Sequence, residues 1–187
     1  MRIIAGEFKS RRLKITKSKS VRPTMDRVKE TLFNIIGDEI REARVLDLCA
    51  GCGSLGFEAL SRGARSVCFV ENNRDAASCI RENSSLLKVE SFVRIMQQSV
   101  ISVVQLLHKR REQFDFILFD PPYGEIVTKK TLMKLDQFGI LARNGKMVIE
   151  HSAHEMIPEL KHFEHVMSKA FGETQLSFLR VRPEGVS

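Results

Sequence analysis

"VLDLCAGCGSLGFEAL", residues 45–60, is the stretch that decides the fold. It opens as a dense apolar run, breaks at Gly51, Gly53 and Gly56, and continues as a helical pattern. A buried strand feeding a glycine turn into a helix is the first unit of a parallel α/β sheet. The spacing G-x-G-x-x-G, with Glu71 20 residues after Gly51, fits a dinucleotide-binding turn. It also fits a tight strand-to-helix turn that holds no ligand.

Outward from this stretch, strand and helix patterns alternate. Strands are predicted at 43–49, 66–71, 92–97, 114–120 and 145–151, with helices near 54–62, 73–86, 100–110 and 127–141. Two further strand-like runs, 163–172 and 174–182, are joined by a glycine-containing turn. Near-continuous apolar strands alternating with helices predict an α/β fold, a mostly parallel sheet covered on both faces. Ligands of such sheets bind beyond the carboxyl ends of the strands. Asp47, Glu71 and Asp120 all fall at ends of that kind.

Upstream, residues 1–15 read as two short strands around a turn at Gly6, a β-hairpin, followed by a polar connector over 16–22. A helix follows in "RPTMDRVKETLFNIIG". Val28, Leu32, Ile35 and Ile36 share one face, Thr24 is the predicted N-cap, and Gly37 ends it. The net charge of +7 is concentrated here. Residues 1–29 carry ten lysines and arginines against Glu7 and Asp26, whereas the other 158 residues carry 20 basic and 21 acidic groups. An arm with that surplus suits a polyanion, with Arg11, Arg12 and Lys14 as phosphate contacts. A solvated terminus is the plainer reading.

At 187 residues and 43% hydrophobic, the chain has enough core to fold as one domain with a small appendage. It shows no signal-like segment and no apolar run near 18 residues, so a cytoplasmic protein with reduced thiols is expected. Cys49 and Cys52 form a lone C-x-x-C, and the pairs His151/His154 and His162/His165 lie about a hundred residues on. Halves so far apart make a poor zinc pattern, and no metal is expected.

Asp47 lies four residues before the first loop glycine, where its charge would repel a pyrophosphate. It suits a cation, and S-adenosylmethionine presents an ammonium and a sulfonium. The run "FDFILFDPPYG" (114–124) adds Asp120, Pro121, Pro122 and Tyr123, which have no part in hydride transfer. They favour methyl transfer, and the class I methyltransferases that this run resembles act on exocyclic amino groups. Asp120 and the Pro121 carbonyl can each accept one N–H, aiming the remaining lobe of the nitrogen at the methyl donor. Pro122 stiffens the turn, and Tyr123 offers a stacking face for a base.

Together, Asp47-x-x-Ala50-Gly51-x-Gly53 and Asp120-Pro-Pro-Tyr123 resemble the Rossmann-like class I methyltransferases that modify exocyclic amino groups. "MRIIAGEFKSRRLK", "RPTMDRVKETLFNIIG" and "GCGSLGFEALSRGA" narrow this, because they closely resemble the bacterial RsmD family. That family methylates the 2-amino group of guanine 966 in 16S ribosomal RNA. The resemblance implies S-adenosylmethionine held by Asp47, Ala50, Gly51, Gly53, Glu71, Asn72, Ser99 and Asp120. It also implies an RNA interface at Arg11, Arg12, Lys14, Arg22 and Thr24. The partner it implies is a partly or fully assembled small ribosomal subunit, and the enzyme a monomer. The arm is then 1–21 and the methyltransferase domain 22–187.

Two departures stand out. Cys52 replaces the family's usual Ser or Thr, and Ser99 stands where an aspartate is common after the third strand. A DNA adenine methyltransferase would carry a larger recognition insertion, and a protein-glutamine methyltransferase would show Asn at Asp120. A non-catalytic rRNA-binding factor or a nicotinamide oxidoreductase is disfavoured by the intact acidic set. Because arm and glycine loop are far apart in the chain, cofactor binding is expected to be independent of the arm.

Overall fold

The computed structural model describes residues 1–16, 26–121 and 125–183. Arg22, Thr24, Pro122 and Tyr123 lie outside the described residues. Seven strands form one sheet: β1 (Arg44–Leu48), β2 (Ser66–Val70), β3 (Val93–Met96), β4 (Phe114–Phe119), β5 (Leu141–Ser152), β6 (Phe163–Phe171) and β7 (Thr174–Val181). Their order is β3-β2-β1-β4-β5-β7-β6. The first five are parallel, and β7 inserts antiparallel between β5 and β6.

Five helices accompany them: α1 (Asp26–Ile36), α2 (Ser54–Ser61), α3 (Arg74–Leu87), α4 (Val100–Lys109) and α5 (Glu125–Phe138). Strand side chains alternate between faces, so β1 sends Val45 to one core and Leu46 and Leu48 to the other. Val28, Leu32 and Phe33 of α1, Leu55 and Phe57 of α2 and Ile80 of α3 fill the first core. Val103, Val104 and Leu107 of α4 and Leu132 and Leu135 of α5 fill the second. The expected class I, Rossmann-like sheet is therefore present, completed by an antiparallel strand. Among the described residues no helix is long and apolar enough to cross a membrane.

The N-terminal β-hairpin is present in a reduced form. Instead of two strands there is one antiparallel bridge, Arg2 with Arg12, closing a loop. The outgoing backbone is bonded elsewhere. The Glu58 carboxylate accepts the N–H groups of Ile4 (2.8 Å) and Ala5 (3.0 Å). Ser61 takes those of Glu7 and Phe8 through its carbonyl (2.7 Å) and hydroxyl (2.9 Å). Pairing is confined to the base of the hairpin, where the Ile3 N–H bonds to the Arg11 carbonyl and the Leu13 N–H to that of Met1, both at 3.0 Å. At the turn, Gly6 has φ +82°, and a Cβ there would collide with the Ser61 carbonyl. Ile3 and Leu13 are buried with α1, so the arm shares the domain's core.

Glu58 is fully buried inside α2. Its charge is met by Arg62 at 2.9 Å and by the buried Lys29 ammonium at 3.7 Å. Lys29 in turn donates to the Arg2 carbonyl (2.7 Å) and the Ser54 hydroxyl (3.2 Å). Removing one partner of a buried pair strands the other charge. Glu58→Ala is therefore expected to lower stability by about 3–5 kcal/mol, measured by urea unfolding, with little dependence on salt. A loss below about 1 kcal/mol, the range of an exposed pair, would contradict this account.

Candidate active site

Parallel pairing fixes where the acidic residues meet. Asp47 lies opposite Phe69 of β2 and Leu118 of β4, so all three strands finish at one edge. The Glu71 N–H bonds to the Met96 carbonyl (3.2 Å), and the Ala50 N–H to that of Val70 (3.1 Å). The Asp120 N–H faces the Leu48 carbonyl at 3.5 Å. Asp47, Glu71 and Asp120 gather around the glycine loop, as the sequence predicts.

Each carboxylate has its own task in shaping the loop. Glu71 accepts the Gly51 N–H at 2.8 Å and the Asn73 N–H at 2.7 Å, tying the loop to the start of α3. Asn73 caps that helix by accepting the Ala76 N–H at 3.0 Å, while Asn72 beside it is exposed. Asp47 is 1% exposed and accepts the Gly56 N–H at 2.9 Å. Gly51 and Gly53 have φ +56° and +86°, a backbone open to glycine. At Gly56 a side chain would overlap the Phe69 ring, so this glycine brings α2 against β2.

Burial pushes the Asp47 carboxyl up to about 8, with the Gly56 hydrogen bond opposing and the nearby Asp120 and Glu71 charges reinforcing. Cys49, in the left-handed region at φ +58°, is pushed up to about 12 by burial and by the same three acids. Its thiol is held protonated. Among the described residues no three His, Cys, Asp or Glu side chains group to hold a metal.

The other candidates are dispersed or already engaged. Ala50 lies in the loop, half-buried, and Pro121 is buried directly after Asp120. The Ser99 hydroxyl caps α4, accepting the Ser102 N–H at 3.2 Å and lying 2.8 Å from the Ser102 hydroxyl. Arg11 and Arg12 are exposed, whereas the Lys14 ammonium is paired with Glu82 at 2.8 Å. The expected separation of arm and loop fails. Thr16 N–H approaches the Cys52 sulfur at 3.4 Å, and buried Asn83 bonds both Lys14 and Cys52. Sequence reading passed over Asn83, Glu58 and Lys29. Their one signal is a polar residue on a buried helical stripe, such as Ala76, Ile80, Asn83, Leu87 in α3.

A family model described as "Conserved hypothetical protein 95" matches residues 1–180. The chain belongs to this family. It is 37% identical to the YlbH protein of Bacillus subtilis (strain 168), over 85% of this chain and 86% of that one. It is 36% identical to the ribosomal RNA small subunit methyltransferase D of Haemophilus influenzae, over 80% and 78%. The solved structure of the yhhF protein of Escherichia coli superimposes with a TM-score of 0.84 at 28% identity, covering 97% of both chains. SMU.776, solved with SAH (S-adenosylhomocysteine), shares the fold at 16% identity and a TM-score of 0.66, over 83% of this chain and 48% of that one. The fold is that of the class I methyltransferases, whose members bind S-adenosylmethionine.

The raised Asp47 carboxyl makes stability depend on pH. The folded chain keeps a proton there that the unfolded chain loses near pH 4, so stability is highest below that and falls until about pH 8. Asp47→Asn keeps an acceptor for Gly56 and removes the titration. Its advantage over the wild type is expected to grow between pH 5 and 8, by up to about 1.4 kcal/mol per pH unit. Denaturant midpoints across that range check this, and a constant difference would show Asp47 ionised throughout.

Proposed function

We propose that this protein transfers a methyl group from S-adenosylmethionine to the 2-amino group of a guanine in 16S ribosomal RNA, at position 966. The observation that carries the reading is the meeting of Asp47, Glu71 and Asp120 around one glycine loop. The Asp120 and Glu71 charges beside Asp47 repel a pyrophosphate, which disfavours a dinucleotide. They suit a cation, because an ammonium beside Asp47 supplies the countercharge that burial denies it. The name of the Haemophilus influenzae relative supports the small-subunit RNA, and the basic arm supports a polyanion.

S-adenosylmethionine, when bound, supplies an activated methyl group on its sulfonium. Asp47 and the loop Ala50–Gly53 hold its methionine end in this reading. Glu71 keeps lone pairs beyond its two N–H bonds with which to accept ribose hydroxyls. Asn72 and Ser99 lie toward the adenosine, with Ser99 contributing mainly through backbone because its hydroxyl caps α4. The guanine amine is a weak nucleophile, its lone pair being delocalised into the ring. Asp120 accepts one of its N–H bonds and the Pro121 carbonyl the other, which aims the nitrogen at the donor. Tyr123 supplies the stacking face for the extruded base.

The direct test is labelled S-adenosylmethionine with small ribosomal particles lacking the modification, followed by nucleoside analysis. The expected product is a 2-methylguanosine at one site, and label on protein or on adenine would overturn the assignment. Asp120→Ala is expected to bind SAH nearly as the wild type does. Its methyl transfer should fall by about two orders of magnitude or more, the scale of losing one transition-state hydrogen-bonding group. Near-normal turnover in that variant would remove Asp120 from the chemistry.

The arm is tested by salt. Lys14 is paired with Glu82, so the test is made on Arg11 and Arg12, which are exposed. Replacing both by Ala is expected to weaken particle binding and to flatten its salt dependence by up to about two units. Parallel slopes would show that these two arginines meet no phosphate.

A further inference from the structure

Asn83 is fully buried in α3, and its amide joins the N-terminal arm to the glycine loop. Its oxygen accepts the Lys14 N–H at 2.8 Å, and its nitrogen donates to the Lys14 carbonyl at 3.1 Å. This is the pair of bonds a neighbouring strand would make to Lys14. The same nitrogen donates to the Cys52 carbonyl, also at 3.1 Å. Cys52 is 2% exposed and stands between Gly51 and Gly53, so its carbonyl sets the peptide plane leading into Gly53. The Cys79 sulfur lies 3.6 Å from the nitrogen and 3.2 Å from the Lys14 carbonyl, closing the cluster.

A planar amide with these partners cannot turn toward one without leaving another unpaired in a buried setting. Arm and loop are thus held by one group. Lys14 follows the exposed Arg11 and Arg12 directly, and its ammonium is anchored on Glu82, the residue before Asn83. We propose that Asn83 is a positioning residue that couples the docked arm to the glycine loop, so that RNA on the arm and S-adenosylmethionine in the loop strengthen each other's binding. The proposal rests on the RNA methyltransferase reading and names how its two ligands communicate. Linkage makes the coupling reciprocal: whatever fixes residue 14 tightens the loop, and whatever fills the loop steadies the arm.

Equilibrium dialysis of radiolabelled SAH, with and without saturating unmodified small-subunit particles, tests this. SAH is chosen because it cannot react. For the wild type, particles are expected to lower the SAH Kd by about fivefold or more, the lower end of ordinary allosteric coupling. In Asn83→Ala that ratio is expected to fall to one, with SAH alone binding about tenfold more weakly, the cost of one lost buried hydrogen bond. Gln137→Ala, an exposed position near the end of α5 outside both arm and loop, is expected to keep the wild-type ratio. Asn83→Asp, which keeps the acceptor for Lys14 and removes both donors, serves if the alanine variant does not fold. A wild-type ratio of one overturns the coupling, and an unchanged ratio in the Asn83 variants removes Asn83 from it. Particles that fail to bind the wild type sink the substrate reading and the coupling with it, an outcome seen directly in the same experiment.

Discussion

Parallel pairing of β1 with both β2 and β4 is the constraint on which the rest of the structure depends. Parallel strands finish on the same edge, and β1 lies at the centre of the pairing that aligns Leu48 with Val70 and Phe119. Residues immediately beyond those strands meet whatever their distance in the chain. Asp47, Glu71 and Asp120 owe their proximity to that register. A one-residue slip of β4 would turn Ile117 and Phe119 to the opposite core, which the two apolar clusters oppose. The cores that stabilise the sheet therefore also fix the geometry of the site.

The site's electrostatics follow from the same packing. A carboxylate inside the end of a buried strand loses its water, and Asp47 recovers one hydrogen bond, from Gly56. Asp120 and Glu71 add like charge nearby. The result is an edge that favours a positive ligand before any ligand is considered. Glu71 shows the complementary use of a carboxylate: half-buried and bonded to two backbone N–H groups, it shapes the loop.

A second set of buried polar groups lies behind the loop. Glu58, Lys29, Ser61 and Asn83 are each buried, and each bonds to the backbone of the first 16 residues. They hold the hairpin against α1, α2 and α3. The arm is consequently part of the wall behind the glycine loop.

The sequence by itself determined the alternation of strands and helices, the glycine turn and the three acidic strand ends. These are local: apolar runs, turn residues and a period of 2 or 3.6 suffice to read them. The basic character of residues 1–29 was legible for the same reason. Only the tertiary structure decided that the hairpin over residues 1–13 is seated on α2, because its acceptors there, Glu58 and Ser61, lie some fifty residues away. It likewise decided that Ser99 is a helix cap, that Lys14 is paired with Glu82, and that Asn83 joins the arm to the loop. A polar side chain on a buried helical stripe signals that it has a partner. Which backbone it finds is fixed by how α1, α2 and α3 pack on the sheet, and no local pattern carries that information.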